Sequence, residues 1–160
     1  MQFCFQGKCV LDANSRLKLP PLLLMDLSAS NNSGRVMLYC LPEGCLGIFP
    51  MSEWENLRRL GSNDTDDVLN DAALRRQHRR IGSLSQSEVI SNQGRITIPV
   101  MFRDLLGLVA GSDVMLVGAE KWVELWSIKA WEQEQQIIAE HEKKRVAADM
   151  DADLKSPQPG

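Results

Sequence analysis

Two stretches of the chain read as one another: Cys9-Val-Leu-Asp-Ala-Asn-Ser-Arg-Leu-Lys-Leu-Pro20 and Glu88-Val-Ile-Ser-Asn-Gln-Gly-Arg-Ile-Thr-Ile-Pro99. Val10 aligns with Val89, Leu11 with Ile90, Arg16 with Arg95, Leu17 with Ile96, Leu19 with Ile98 and Pro20 with Pro99. The match resumes downstream, where Val36-Met37-Leu38 equals Val114-Met115-Leu116. Leu46-Gly-Ile-Phe49 then meets Val123-Glu-Leu-Trp126, and Trp54 meets Trp131. A series of matches in one order across both halves marks a tandem duplication.

Each copy predicts the same elements. A short strand (Cys9–Leu11, Glu88–Ile90) enters a polar turn, Asp12–Ser15 or Ser91–Gly94, built from residues that tolerate unusual backbone angles. The next strand, Arg16–Leu19 or Arg95–Ile98, alternates apolar and polar positions until proline stops it. A short apolar segment (Pro21–Leu27, Val100–Leu106) reads as one to two helical turns. Two further strands follow, Val36–Leu41 with Leu46–Phe49, and Val114–Gly118 with Val123–Trp126. Ser52-Glu-Trp-Glu55 has the spacing of a capping box, and Ser127 is expected to cap the equivalent helix before Trp131. Four short strands bury too little surface to stand alone, so the two copies are expected to share one core. Trp54 and Trp131 read as packing anchors.

The fold class is therefore α+β, mainly β with short helices. The expected organisation is a first module over residues 5–54, a linker over 55–84 and a second module over 85–131. A C-terminal helix with a disordered tail follows over 132–160. The linker carries a loop, 61–67, then a helix over Val68–Arg80 with four arginines, Arg75, Arg76, Arg79 and Arg80. That cluster is either a solvated helix face or a contact to phosphates or a neighbouring subunit. Glu132–Arg145 reads as helix, and Val146–Gly160 as tail.

The 160 residues are 44% apolar and 24% charged, an ordinary globular composition with a formal charge of −3. Residues 1–82 hold 10 basic and 9 acidic groups, and residues 83–160 hold 8 and 12. Whole-chain charge gives nucleic-acid binding no support, so local clusters must carry it. No apolar run reaches membrane-spanning length, no signal peptide is visible, and a cytoplasmic location is expected. Cys4, Cys9, Cys40 and Cys45 form pairs five residues apart. On a strand that spacing sends the members to opposite faces, and it is not zinc-ligand spacing. They read as reduced, largely buried thiols, and no metal or other cofactor is expected.

Enzyme constellations are nearly absent. His78 and His141 lie in charged helical stretches, and neither has a motif partner for nucleophilic catalysis. No phosphate-binding or dinucleotide fingerprint is present. The duplicated arginine is more informative. Arg16 and Arg95 open equivalent strands beside polar turns, with Lys18 on the same strand face as Arg16. Asn14, Ser15, Asn92 and Gln93 add side chains able to contact phosphates or base edges. Strands can read the major groove, and arginine can bond guanine through two donors. Asp12 is placed to hold its turn by pairing with Arg16, which leaves guanidinium donors free for DNA.

The Asp12–Arg16 turn followed by Leu-Lys-Leu-Pro20 resembles the signature of the MraZ family, and Gln93-Gly-Arg-Ile-Thr-Ile-Pro99 resembles its second copy. Gly44-Cys-Leu-Gly-Ile-Phe-Pro50 with Trp54, and Val114–Gly118 with Glu124-Leu-Trp126 and Trp131, resemble the passages that follow in that family. The resemblance spans roughly residues 5–135. It implies tandem SpoVT-AbrB-type β-loop hairpin modules interlocked as a pseudo-twofold swapped-hairpin barrel. It also implies a ring-shaped homo-oligomer and a nucleoid-associated transcriptional regulator, with its Asp-x-x-x-Arg turns facing double-stranded DNA. Its targets would be promoter direct repeats before a division and cell-wall gene cluster. Two positions depart from the pattern: Ser91 replaces the second aspartate, and Ser15 replaces a glycine. The rival expectation is an oligomeric scaffold of the same fold with weak or lost DNA binding. Neither reading involves a membrane or a small-molecule substrate.

Overall fold

The computed structural model describes residues 2–29 and 34–157. Its strands are β1 (Gln6–Val10), β2 (Arg16–Lys18), β3 (Arg35–Leu41), β4 (Cys45–Pro50), β5 (Ser85–Val89), β6 (Arg95–Thr97), β7 (Asp113–Gly118) and β8 (Val123–Ser127). Its helices are α1 (Pro21–Ala29), α2 (Met51–Leu60), α3 (Thr65–Asn70), α4 (Ala72–Ser83), α5 (Val100–Leu106) and α6 (Ile128–Lys155). The architecture is α+β, with antiparallel pairing throughout.

Six strands form one sheet in the order β1-β7-β8-β4-β3-β5, and β2 and β6 form a separate two-stranded ribbon. The halves exchange their first strands. β1 pairs with β7 of the second half, and β5 pairs with β3 of the first. At the centre of the sheet Gly47 faces Glu124, and at the centre of the ribbon Leu17 faces Ile96. Both are pairs of duplicated positions, so one pseudo-twofold axis passes through sheet and ribbon.

The strands do not close into a barrel: β1 and β5 are the two edges of an open sheet. The open side is covered in another way. Leu17 and Ile96 on the inner face of the ribbon are fully buried, as are Leu23 and Leu27 on α1 and Phe102 on α5. These side chains join residues of both sheet halves in one apolar cluster. Removing the ribbon would expose that cluster, and truncating Leu17 or Ile96 to alanine would cost about 2–5 kcal/mol.

Several local expectations are corrected. Helix α2 begins at Met51 with Pro50 before it and no side-chain cap, so Ser52 lies inside the helix and no capping box forms. Strand β4 runs straight into the helix, leaving no extended residue where Ser52 could act as cap. The linker helix is broken at Asp71, whose extended backbone separates α3 from α4 and whose carboxylate accepts from the N–H groups of Ala73 and Leu74. The last helix continues past Arg145 to Lys155, over residues assigned to a disordered tail. Pairs one turn apart, Arg145–Asp149 and Lys155–Asp151, support that extension. Residues 158–160 of the expected tail lie outside the described residues. Contacts divide the chain between Ser127 and Ile128, with α6 as a unit of its own.

Candidate nucleic-acid interface

The ribbon centres on a duplicated pair, Leu17 and Ile96, which stand 79 positions apart in the chain. Arg16 pairs with Thr97, Leu17 with Ile96, and Lys18 with Arg95. Directly opposed residues of an antiparallel pair share a face. With Leu17 and Ile96 turned inward, Arg16, Lys18, Arg95 and Thr97 form the outer face. Lys18 and Thr97 are exposed, and Arg16 and Arg95 are half-buried.

The two turns are built alike. The Asp12 N–H donates to the Arg16 carbonyl and the Ser15 N–H to the Asp12 carbonyl; Ser91, Arg95 and Gly94 repeat both bonds. The closing residue of each turn is left-handed, Ser15 at φ 61° and Gly94 at φ 75°. Each turn is also tied to the other half. The Ile98 N–H donates to the Ser15 carbonyl, and the Leu19 N–H to the Gly94 carbonyl, both at 2.9 Å. The turns therefore flank the ribbon as a coupled pair.

Asp12 organises the first turn. Its carboxylate accepts the backbone N–H groups of Asn14 at 2.8 Å and Arg16 at 2.9 Å, and the Arg16 Nε at 3.2 Å. The Arg16 backbone N–H is the main cause that holds the Asp12 carboxyl below its ordinary pKa, with Asn14 and the guanidinium adding to it. In the second turn Ser91 Oγ accepts the Arg95 N–H at 3.1 Å, which preserves the backbone bond without a carboxylate. The Arg95 guanidinium instead donates to Gln93 Oε1 at 2.7 Å. Serine therefore keeps the turn, and among the described residues no carboxylate pairs with Arg95 as Asp12 does with Arg16.

The sequence-predicted site residues are distributed as follows. Arg16, Lys18 and Arg95 stand on the ribbon face, and Asn14, Asn92 and Gln93 are exposed in the turns. Ser15 is buried at 6% exposure, and its left-handed backbone shapes the turn. Thr97 was missed by sequence reasoning. The available signal was the duplication itself, which places Thr97 where the first half has Lys18.

The linker arginines divide by function. Arg80 donates to the Tyr39 hydroxyl at 2.6 Å and the Cys40 carbonyl at 3.2 Å, pinning α4 to β3. Arg75 donates to the carbonyls of Val68 and Leu69 at the end of α3. Arg76 and Arg79 are exposed. All four cysteines are free thiols, and burial raises the pKa of Cys9, Cys40 and Cys45. Among the described residues no group of three His, Cys, Asp or Glu side chains is placed to hold a metal. No described helix is long and apolar enough to cross a membrane.

Comparison with known proteins matches residues 90–153 to the sequence model of the family described as "MraZ protein, putative antitoxin-like". The chain is 33% identical over 130 residues to the "Transcriptional regulator MraZ" of Saccharophagus degradans, covering 79% of this chain and 84% of that protein. It is 32% identical over 122 residues to the protein of the same name from Coxiella burnetii, covering 76% and 77%. A third such protein, from Dehalococcoides mccartyi, is 25% identical over 130 residues, covering 81% and 85%.

Proposed function

The chain belongs to the MraZ family, and on that premise we propose that it is a transcriptional regulator binding double-stranded DNA through the outer face of the β2–β6 ribbon. The observation that carries this reading is the register of the ribbon, which gathers Arg16, Lys18 and Arg95 on one outer face. A two-stranded ribbon fits the major groove, and guanidinium groups there can bond phosphates or guanine edges. Asn14, Asn92 and Gln93 border the same face, and Lys18 and Thr97 supply donors between them. Asp12 is a positioning residue that fixes the first turn and the Arg16 Nε.

The family resemblance extends the reading. The ring-shaped homo-oligomer would present several ribbons to promoter direct repeats before the division and cell-wall gene cluster. One ribbon contacts few phosphates, and tethering several raises the effective concentration of the rest. The exchanged first strands support a swapped-hairpin arrangement, which fixes both turns on one rigid body. The fold carries no catalytic role in this reading.

The test is fluorescence anisotropy with duplex DNA from upstream of the gene, over a salt series, against scrambled DNA. Selective binding with a steep salt slope, lost in an Arg16→Ala/Arg95→Ala variant that melts like the parent, is the expected result. Equal binding of scrambled DNA, unchanged in the variant, would overturn the reading and leave an oligomeric scaffold.

A further inference from the structure

The two ends of the ribbon's outer face are unlike in charge. At the first turn, Arg16 stands opposite the neutral Thr97, and its Nε pairs with the Asp12 carboxylate at 3.2 Å. At the second turn, Arg95 stands opposite Lys18, and neither makes an ion pair among the described residues. One end therefore carries a neutralised arginine, and the other carries two unpaired cations.

The duplication makes this difference a departure from symmetry. Asp12 and Ser91 are equivalent positions, and so are Lys18 and Thr97. Serine in place of aspartate and lysine in place of threonine both make the second end the more positive one. Two separate positions thus act in the same direction.

The guanidinium groups differ in freedom as well. Asp12 Oδ1 accepts the Arg16 backbone N–H while Oδ2 accepts Nε, so one carboxylate holds that residue at two points. Neither terminal amino group of Arg16 makes a hydrogen bond among the described residues. Two parallel donors on a held side chain suit guanine, whose O6 and N7 accept together. A side chain already held also loses less rotamer freedom on binding. Arg95 instead spends Nη1 on Gln93 Oε1 at 2.7 Å, a neutral and exposed partner. Two neighbouring cations attract the phosphate backbone whatever the base sequence.

We propose that the two ends divide the work: Arg16 reads a base pair, and Arg95 with Lys18 anchors the phosphate backbone. Asp12 is the positioning residue that makes Arg16 a reader. The pseudo-twofold ribbon then favours one of its two orientations on the duplex. The proposal rests on DNA binding by the ribbon, as proposed above, and deepens it by separating specificity from affinity.

Anisotropy titrations of the full chain test it, over a salt series. The probes are the upstream duplex, scrambled DNA and a set of duplexes that each replace one base pair. Far-UV circular dichroism checks that each variant is folded. Arg16→Lys keeps the charge and removes the fork. It is expected to lower discrimination at one base pair by about fivefold or more and to keep the salt slope. Arg95→Gln and Lys18→Thr are each expected to weaken all duplexes by the same factor and to reduce the slope by about one. Asp12→Asn keeps an acceptor for the backbone and removes the acid. It should tighten binding to scrambled DNA while lowering discrimination, opposite changes that a merely structural role would not produce. Discrimination kept in Arg16→Lys, or lost at one base pair in Arg95→Gln, would overturn the division and leave DNA binding by the ribbon standing. A wild type with no preference over scrambled DNA would overturn the division too. Binding unchanged in Arg16→Ala/Arg95→Ala would overturn the ribbon reading itself.

Discussion

Lys18 and Arg95 stand directly opposite each other in the β2–β6 ladder, two cations on one face of a three-residue pairing. Like charges at opposed positions destabilise a ladder, and neither strand supplies a carboxylate to offset them. The arrangement is what the proposed contact with a polyanion on the outer face requires. Folding alone would favour an acid at one of the two positions.

Replacing one cation should therefore separate stability from binding. Lys18→Glu is expected to raise the unfolding free energy by about 0.2–1 kcal/mol, by converting a repulsive cross-strand pair into an attractive one. The same variant should lose DNA affinity and lower the salt slope by about one unit per phosphate contact removed. Urea melts and anisotropy titrations on the same preparation would show it. A less stable protein with unchanged affinity would refute the account.

The two left-handed turn positions predict opposite effects. Ser15 adopts φ 61°, where a side chain crowds the following carbonyl, so Ser15→Gly should stabilise by about 0.5–1 kcal/mol. Gly94 adopts φ 75°, and a Cβ there would sit 2.9 Å from Leu24 Cδ2. Gly94→Ala should destabilise by about 1–2 kcal/mol or more, since Leu24 must also shift. Thermal melts of the two variants would check both signs.

Acid should act on one turn and spare the other. The folded Asp12 carboxyl has a lowered pKa, chiefly through the Arg16 backbone N–H. Its contribution is complete above the unfolded carboxylate pKa, about 3.9, and is lost as pH falls through the lower folded value. In that window the unfolded state binds more protons, so stability rises with pH. The wild type should therefore lose stability below about pH 4 relative to Asp12→Asn. Urea midpoints between pH 2 and 6 would measure the difference. Ser91, which cannot ionise, gives the second turn no such dependence.

Arg80 and Arg79 are adjacent in sequence and should differ in cost. Arg80→Ala removes the bonds to the Tyr39 hydroxyl and the Cys40 carbonyl and is expected to destabilise by about 1–2 kcal/mol. Arg79, exposed on the same helix, should change stability by less than about 0.5 kcal/mol as alanine. Chemical denaturation of the two variants decides it.

Much of the fold is legible in the duplication. The alternation in Arg16–Leu19 shows which side is buried, and the polar turn before it marks where the chain reverses. The α5 helix, Val100–Leu106, has the bounds its pattern predicts. The errors lie where local pattern competes with context. Ser52 has capping-box spacing, but β4 leaves no extended residue for it to occupy. The 146–155 segment has tail-like composition, but its acids and bases fall one helical turn apart.

The sequence by itself determined the tandem repeat, the family, the strand faces and the identity of the basic residues. These follow from local periodicity and from residues compared in order along the chain. Only the tertiary structure decided which strand pairs with which. The duplication shows that β1 and β5 are equivalent strands, but either could have paired within its own half. It also decided that Lys18 faces Arg95, that Ser15 is buried, and that Arg80 is bound to Tyr39 and Cys40. Each of these depends on residues distant in the chain being held close by a shared apolar core, and no local pattern encodes that proximity.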